Sequence, residues 1–234
     1  MKAMILAAGL GTRLKPFTDH HPKALAQVNG KTVLQRNIEY LQQYGIEDVV
    51  VNVHHFAEQI IKATEENNGW GSHITISDES SEVMETGGGI LKALPLLKDS
   101  NPFVVMNADI LTDLDLGAMI AFHNQHKPLG TLAVTNRESS RVLLFDEEPK
   151  LCGWRNLKTN ETKGKSGQSK AFSGIQVLDP AIFELIIFEG KFSMIDVYLH
   201  LCTSQSFVPF DHSGGVFMDI GTVEKLAEAE KIFE

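Results

Sequence analysis

The 234-residue chain has only two cysteines, Cys152 and Cys202. That is too few for a disulfide framework, and they lack the C-x-x-C spacing of a redox or zinc motif. Both are expected to be small core residues of a protein in a reducing compartment, by default the cytoplasm. No apolar run approaches the ~18 residues of a membrane span. The first ten residues are broken by Gly9 and carry no small-residue cleavage pattern, so a buried first strand is expected there rather than an export signal. Positive charge is also in deficit: 21 Lys and Arg against 30 Asp and Glu give a net −9. With no basic run, nucleic acid and anionic membrane surfaces are excluded as main partners. Any anion this chain binds must therefore meet a local cationic site.

What is present is enough apolar material, 43% of residues, to fill the core of one sizeable domain. "KAMILAA" is a continuous apolar run of strand length, as in a parallel strand covered on both faces. Val33, Leu34, Asn37, Ile38, Leu41 and Tyr44 recur at helical spacing, and Gly45 stands where a helix ends. Strand and helix then alternate: "DVVVNVH", a helix near 56–67, "HITISDE", a helix within 86–97, "FVVMNAD", and a helix near 116–126. This predicts a doubly wound α/β fold with a mixed, mainly parallel sheet. After Gly130 the runs shorten to "TLAVTN", "RVLLFDE" and "KLCGWRN", which predicts a small antiparallel extension. The polar stretch 157–170, "LKTNETKGKSGQSK", is expected to be a mobile loop. "AFSGIQVLD" returns as strand, 180–187 and 194–202 as helix. "VFMDIG" leads to a closing helix on Val223, Leu226, Ala227 and Phe233. The whole is expected as one domain in two parts, 1–130 and 131–234, divided where the pattern changes.

The chemical signal is "LAAGLGTRLKPFTDHHPK", residues 6–23. A dinucleotide fingerprint read from Gly9 needs a small residue where Leu14 stands, and a P-loop needs Lys-Ser or Lys-Thr where Thr12-Arg13 follows Gly11. What remains is a flexible turn whose N–H groups can approach phosphate, with Arg13 and Lys23 placed to neutralise charge. Pro16 and Pro22 are expected to hold it open. The plain alternative is a strand-to-helix connection whose glycines only turn the chain.

"MILAAGLGTRLKPFT" with its downstream "PKAL" resembles the head motif of the sugar-1-phosphate nucleotidyltransferases. The resemblance continues through "METGGGILKALPLL", "MNAD", "FSGI" and "FMDIGTVEKLAEAE", and so spans the chain. It implies transfer of a nucleotidyl group from a nucleoside triphosphate to a sugar 1-phosphate, with release of pyrophosphate. UTP is the implied donor, with GTP or CTP as alternatives. N-acetylmuramate 1-phosphate is the first implied acceptor and mannose 1-phosphate the second. Leu6, Ala8, Gly9, Gly11, Thr12, Arg13 and Lys23 are implied as nucleotide contacts, with Arg13, Lys23 and Asp109 catalytic. Thr86 and Gly87 would meet the base, and Glu85 is either a base contact or a residue stabilised at a helix start. Asn107, Phe172, Ser173 and Gly174 fall on the sugar side, Gly174 by letting a ring approach closely. Asp109 and Asp219, each after an apolar strand, are the implied Mg²⁺ ligands, a hard cation suited to phosphate oxygens.

Departures leave the sugar open: Ala24 follows the Pro-Lys pair, Leu10 replaces a frequent basic residue, and no Gly-Asp-Phe or Glu-Lys-Pro segment is present. No acyltransferase tail is expected at this length. The rival functions are a glycosyltransferase using Asp113-x-Asp115 and a silent nucleotide-binding relative. Asp113 or Asp115 is otherwise expected to cap the next helix. Neither zinc at the paired histidines (His20-His21, His54-His55) nor a nucleophile at Ser173 is supported by spacing. The oligomeric state is left between monomer and homodimer.

Overall fold

The computed structural model describes residues 1–233. Strand β1 (Lys2–Leu6) turns Ala3 and Ile5 to one face of the sheet and Met4 to the other, all without solvent contact. The chain next makes two short 3-10 turns, Phe17–Asp19 and Lys23–Leu25. The tight hairpin of β2 (Gln27–Val28) and β3 (Lys31–Thr32) then turns on Asn29 and Gly30, both at positive φ. Helix α1 (Val33–Gln42) starts where the Thr32 hydroxyl accepts the Gln35 N–H at 3.0 Å, and stops at Gly45 with φ +70°.

Then follow β4 (Asp48–Val53), α2 (Ala57–Glu66), β5 (His73–Asp78), α3 (Glu85–Lys92) and α4 (Leu94–Leu97). The apolar segment expected as one helix is thus two, parted at Ala93, with Pro95 in the first turn of the second. The first half ends with β6 (Phe103–Asn107), β7 (Ile110–Thr112) and α5 (Leu116–His126). Helix α5 is capped as expected: Asp115 accepts the Ala118 N–H at 2.9 Å.

The second half contains β8 (Gly130–Thr135), β9 (Arg141–Phe145), β10 (Leu151–Asn156), β11 (Glu161–Gly164) and β12 (Gln168–Leu178). After these come α6 (Ile182–Leu185), α7 (Met194–Leu201), β13 (Phe207–Asp211), β14 (Phe217–Asp219) and α8 (Val223–Ala229).

Among the described residues ten strands form one sheet. Its first half is parallel, with β1 between β6 and β4, and β5 beyond β4. The turn to antiparallel pairing comes at β12, which runs against β6, β8 and β9; β10 and β11 extend the sheet past β9. One apolar cluster, with Ile5, Leu34, Ile38, Val51, Ile60 and Met119, lies under α1, α2 and α5. A second, with Met4, Ile90, Val105, Val197 and Tyr198, lies under α3 and α7. The doubly wound, mixed α/β architecture is as expected.

Three local expectations are corrected. Stretch 157–170 contains β11, which pairs with β10 from Asn156 opposite Glu161 to Gly153 opposite Gly164, and the start of β12. All four β11 residues are exposed, so no polar–apolar alternation marks the strand. Strand β13 was not expected, because Pro209 interrupts it; it pairs with β8 alone, and at a sheet edge a missing N–H costs nothing. The cysteines are free and only partly buried. Helix α8 buries Ala229 and packs Leu226 inward, while Val223 stays 49% exposed.

Candidate functional site

A third, smaller apolar cluster explains how distant residues meet. It gathers Leu14 from the glycine loop, Val28 and Val33 from the hairpin region, Leu111 from β7, and Met218 and Ile220 on either side of Asp219. Leu14 is the residue that breaks the dinucleotide fingerprint, and it has no solvent contact. Its burial against Met218 and Ile220 brings the preceding Arg13 to Asp219, with Nη2 to Oδ2 at 3.7 Å. Backbone bonds fix the other carboxylate: Ala108 N–H donates to Leu6 O at 3.0 Å and Ile220 N–H to Asp109 O at 2.8 Å. The Asn37 amide donates to Ala108 O at 3.0 Å. This is why α1 carries an asparagine in its buried stripe.

Lys23 stands between the two acids. Its ammonium is in direct contact with Asp109 Oδ2 and lies 3.5 Å from Asp219 Oδ1. The lysine side chain is 13% exposed, Asp109 26% and Asp219 45%. Two carboxylates 110 positions apart thus face a single cation, and this pair could hold a divalent metal ion.

Beside this group opens a cleft of about 280 Å³, lined by Leu6, Ala8, Gly9, Lys23, Asn107 and Asp109 among others. Glu85 and Thr86, at the start of α3, line it from the far side. The first strand's loop is tied down by a residue the sequence reading missed. Asn52 accepts the Ala7 N–H at 2.7 Å, and its amide donates to the fully buried Glu79 at 2.7 Å. The signal was available, since an asparagine within "DVVVNV" is a polar group on a buried strand and must be bonded there.

The remaining candidates divide. Gly11 makes the turn rather than the lining. It sits at φ +63°, its carbonyl accepts from Leu14 N–H at 3.0 Å and Thr18 Oγ1 at 2.9 Å, and an added Cβ would lie 2.9 Å from Thr18. Thr12 is exposed beside it. Thr86 Oγ1 accepts the Met194 N–H at 2.9 Å, which ties α3 to α7. Gly87 stands where α3 meets the segment leading into α7. Its N–H donates to Phe192 O at 2.9 Å, and a Cβ there would sit 2.4 Å from the Phe192 ring, so its glycine serves packing. Glu85 is exposed and opens α3 at φ +57°.

On the other side Ser173 is 1% exposed, and its hydroxyl lies 2.8 Å from His212 Nε2. Gly174, at φ +70°, does permit a close approach, but of Asn107. A Cβ would lie 2.6 Å from the Asn107 amide nitrogen and 2.5 Å from Ile110. Gly174→Ala is therefore expected to lower stability by about 2 kcal/mol through left-handed strain and overpacking, measured as a fall in the urea midpoint. Phe172 packs against the second core cluster, and its carbonyl accepts from Arg137 at 2.8 Å.

His212 and His123 make a pH-dependent contribution to stability. Burial holds the His212 imidazole below its usual 6.5 against the pull of Asp211 and Asp113, with Arg137 adding to the effect. Burial likewise lowers His123, opposed by Asp179. The unfolded chain then takes up protons first as pH falls, so their contribution is complete above the unfolded pKa and is lost below it. Urea unfolding is expected to show lower stability at about pH 5.5 than at pH 7. His212→Asn should remove part of that difference, and an unchanged difference in that variant would contradict the assignment.

A site built at the carboxyl ends of parallel strands, with a glycine turn and convergent charge, places the protein among the phosphate-handling α/β proteins. Residues 2–234 match the nucleotidyl transferase family model, and the chain belongs to that family. It is 33% identical to N-acetylmuramate alpha-1-phosphate uridylyltransferase of Neisseria meningitidis serogroup B, over 99% of this chain and 98% of that one. It is 30% identical to the mannose-1-phosphate guanylyltransferase catalytic subunit beta of Drosophila pseudoobscura pseudoobscura, over 94% of this chain and 59% of that one. Among solved structures, HddC from Yersinia pseudotuberculosis, complexed with GMP-PN, superposes with a TM-score of 0.79 at 25% identity, over 100% of this chain and 99% of that chain. Among the described residues no helix is long and apolar enough to cross a membrane.

Proposed function

We propose that the protein transfers a nucleotidyl group from a nucleoside triphosphate to a sugar 1-phosphate, in the cytoplasm, with UTP as donor and N-acetylmuramate 1-phosphate as acceptor. The substrate pair rests on the named relative that aligns with this chain over nearly all of both lengths. The observation that carries the reaction class is the meeting of Lys23 with Asp109 and Asp219 beside the glycine-loop cleft.

In this reading an oxygen of the acceptor's phosphate attacks the α-phosphorus of the triphosphate. The new P–O bond forms as the bond to the β-phosphate oxygen breaks, and pyrophosphate leaves with that electron pair. Little covalent work falls to the protein; it must hold two anions in line and neutralise them. Lys23 supplies a charge at the cleft wall, and Arg13, held by the burial of Leu14, supplies another from the loop. The N–H groups of the glycine turn would meet phosphate where Gly9 lines the cleft. Asn107, pressed against Gly174, is held at the border between donor and acceptor.

Asp109 and Asp219 would hold Mg²⁺. Among the described residues no group of three or more His, Cys, Asp or Glu side chains gathers for a metal. A two-carboxylate set completed by phosphate and water suits magnesium. Bound there, the ion would neutralise charge on the phosphoryl oxygens. The test is pyrophosphate release with five nucleoside triphosphates against several sugar 1-phosphates, with and without Mg²⁺. UTP with N-acetylmuramate 1-phosphate is expected to react fastest. Faster reaction of GTP with mannose 1-phosphate would move the protein towards its guanylyltransferase relatives.

A further inference from the structure

Beside Asp219 lies a second cavity, of about 480 Å³, lined by Arg13, Arg137, Phe217, Asp219 and Lys225 among others and sharing no lining residue with the first cleft. Three cationic side chains border it in a protein of net charge −9. Two of them have acidic partners: Arg13 is 3.7 Å from Asp219, and Lys225 is 3.0 Å from Glu228. Arg137 is different. Its guanidinium lies over the Phe217 ring, 4.6 Å from the centroid, and donates to the Phe172 carbonyl at 2.8 Å and more weakly to Glu138 O at 3.5 Å. Among the described residues no carboxylate comes within 4.0 Å of it.

A guanidinium clamped between a ring and a carbonyl keeps further N–H groups in a fixed plane, the geometry that matches phosphate oxygens in pairs. The residue as a whole is exposed, yet the group is desolvated enough for its pKa to fall, with only the nearby Asp219 opposing the shift. An incoming anion would supply the partner that the fold does not. The loop that carries Arg137 is itself braced. Lys170 binds Asn136 at 2.7 Å and Asp211 at 2.6 Å, and Ser213 accepts the Asn136 N–H at 2.9 Å. The site is therefore built on the second half of the chain and abuts one of the two convergent carboxylates.

We propose that Arg137 receives the phosphate of the sugar 1-phosphate, with Lys225 in the same cavity, so that the acceptor reaches Asp219 through this cavity and the nucleotide through the glycine-loop cleft. This rests on the proposed sugar 1-phosphate substrate. Lys23 and the glycine turn already line the first cleft, whereas Arg137 lines a cavity that shares no residue with it and, unlike its neighbours Arg13 and Lys225, has no acidic partner.

The test varies each substrate separately in Arg137→Ala and Arg137→Lys, using the pair that the unmodified protein turns over fastest. Arg137→Ala is expected to raise KM for the sugar 1-phosphate about tenfold or more, with KM for the triphosphate within about twofold. Arg137→Lys, which keeps the charge without the fork, should recover part of the loss. A rise in the triphosphate KM, alone or in equal measure, would assign Arg137 to the leaving pyrophosphate and overturn the proposal; so would no change in either constant. If Arg137→Ala loses its fold, Arg137→Lys and Lys225→Ala carry the comparison: both must raise the sugar 1-phosphate KM, and neither the triphosphate KM. Failure of the function itself would look different, since the unmodified protein would then release no pyrophosphate with any pair and this inference would fall with it.

Discussion

Asp109→Ala is expected to lower turnover by about three orders of magnitude or more while leaving the fold intact. Several kcal/mol of charge stabilisation at the reacting phosphorus is at stake, and each ~1.4 kcal/mol is a factor of ten in rate. The fold should survive because Asp109 is partly solvated and its backbone, not its carboxylate, makes the bonds to Ile220 and, through Ala108, to Asn37 and Leu6. The lysine it leaves behind keeps Asp219 as a partner at 3.5 Å. Steady-state rates together with the thermal unfolding midpoint separate the two effects. Near-normal activity in a folded variant would remove Asp109 from the chemistry, and with it the reason for placing a metal there.

Lys23→Ala should have the second-largest effect, a fall of about 10²- to 10³-fold in kcat/KM for the triphosphate. Its ammonium is mostly buried and faces two carboxylates, so its loss removes a cation from the cleft and leaves the two acids facing each other. Both consequences disfavour an entering polyanion. Lys23→Arg should not restore activity, because a planar fork cannot replace a compact charge in the same contact with Asp109. Kinetics unaltered in Lys23→Ala would mean that the loop turns the chain without holding phosphate.

The sequence carried the parallel half of the sheet well because period and burial coincide there. "KAMIL" and "DVVVNV" are buried on both faces, and the helices between them carry stripes that end at caps such as Thr32 and Gly45. It carried the second half less well. β11 is solvated on both faces and β13 carries a proline at an edge, so neither leaves a pattern of burial to read. Arg13, Lys23, Asp109 and Asp219 were legible through the motifs, but their meeting was not. That depends on Leu14, Met218 and Ile220 sharing one small core, a relation between positions some 200 residues apart. For Ser173 and Gly87 the motif identified the segment, but only the packing reveals that His212 and Phe192 bond to them. Asn52, Glu79 and Arg137 were missed because each acts through a partner that the chain brings from elsewhere.

In the proposed reaction the loop cations and two carboxylates converge on the α-phosphorus of a triphosphate. UTP labelled at its α-phosphate, incubated with Mg²⁺ and N-acetylmuramate 1-phosphate, tests this most directly. The label is predicted to pass into the nucleotide sugar, with one pyrophosphate released for each molecule formed. Retention of the label in UTP with every acceptor tried, or consumption of a nucleotide sugar without pyrophosphate, would contradict it.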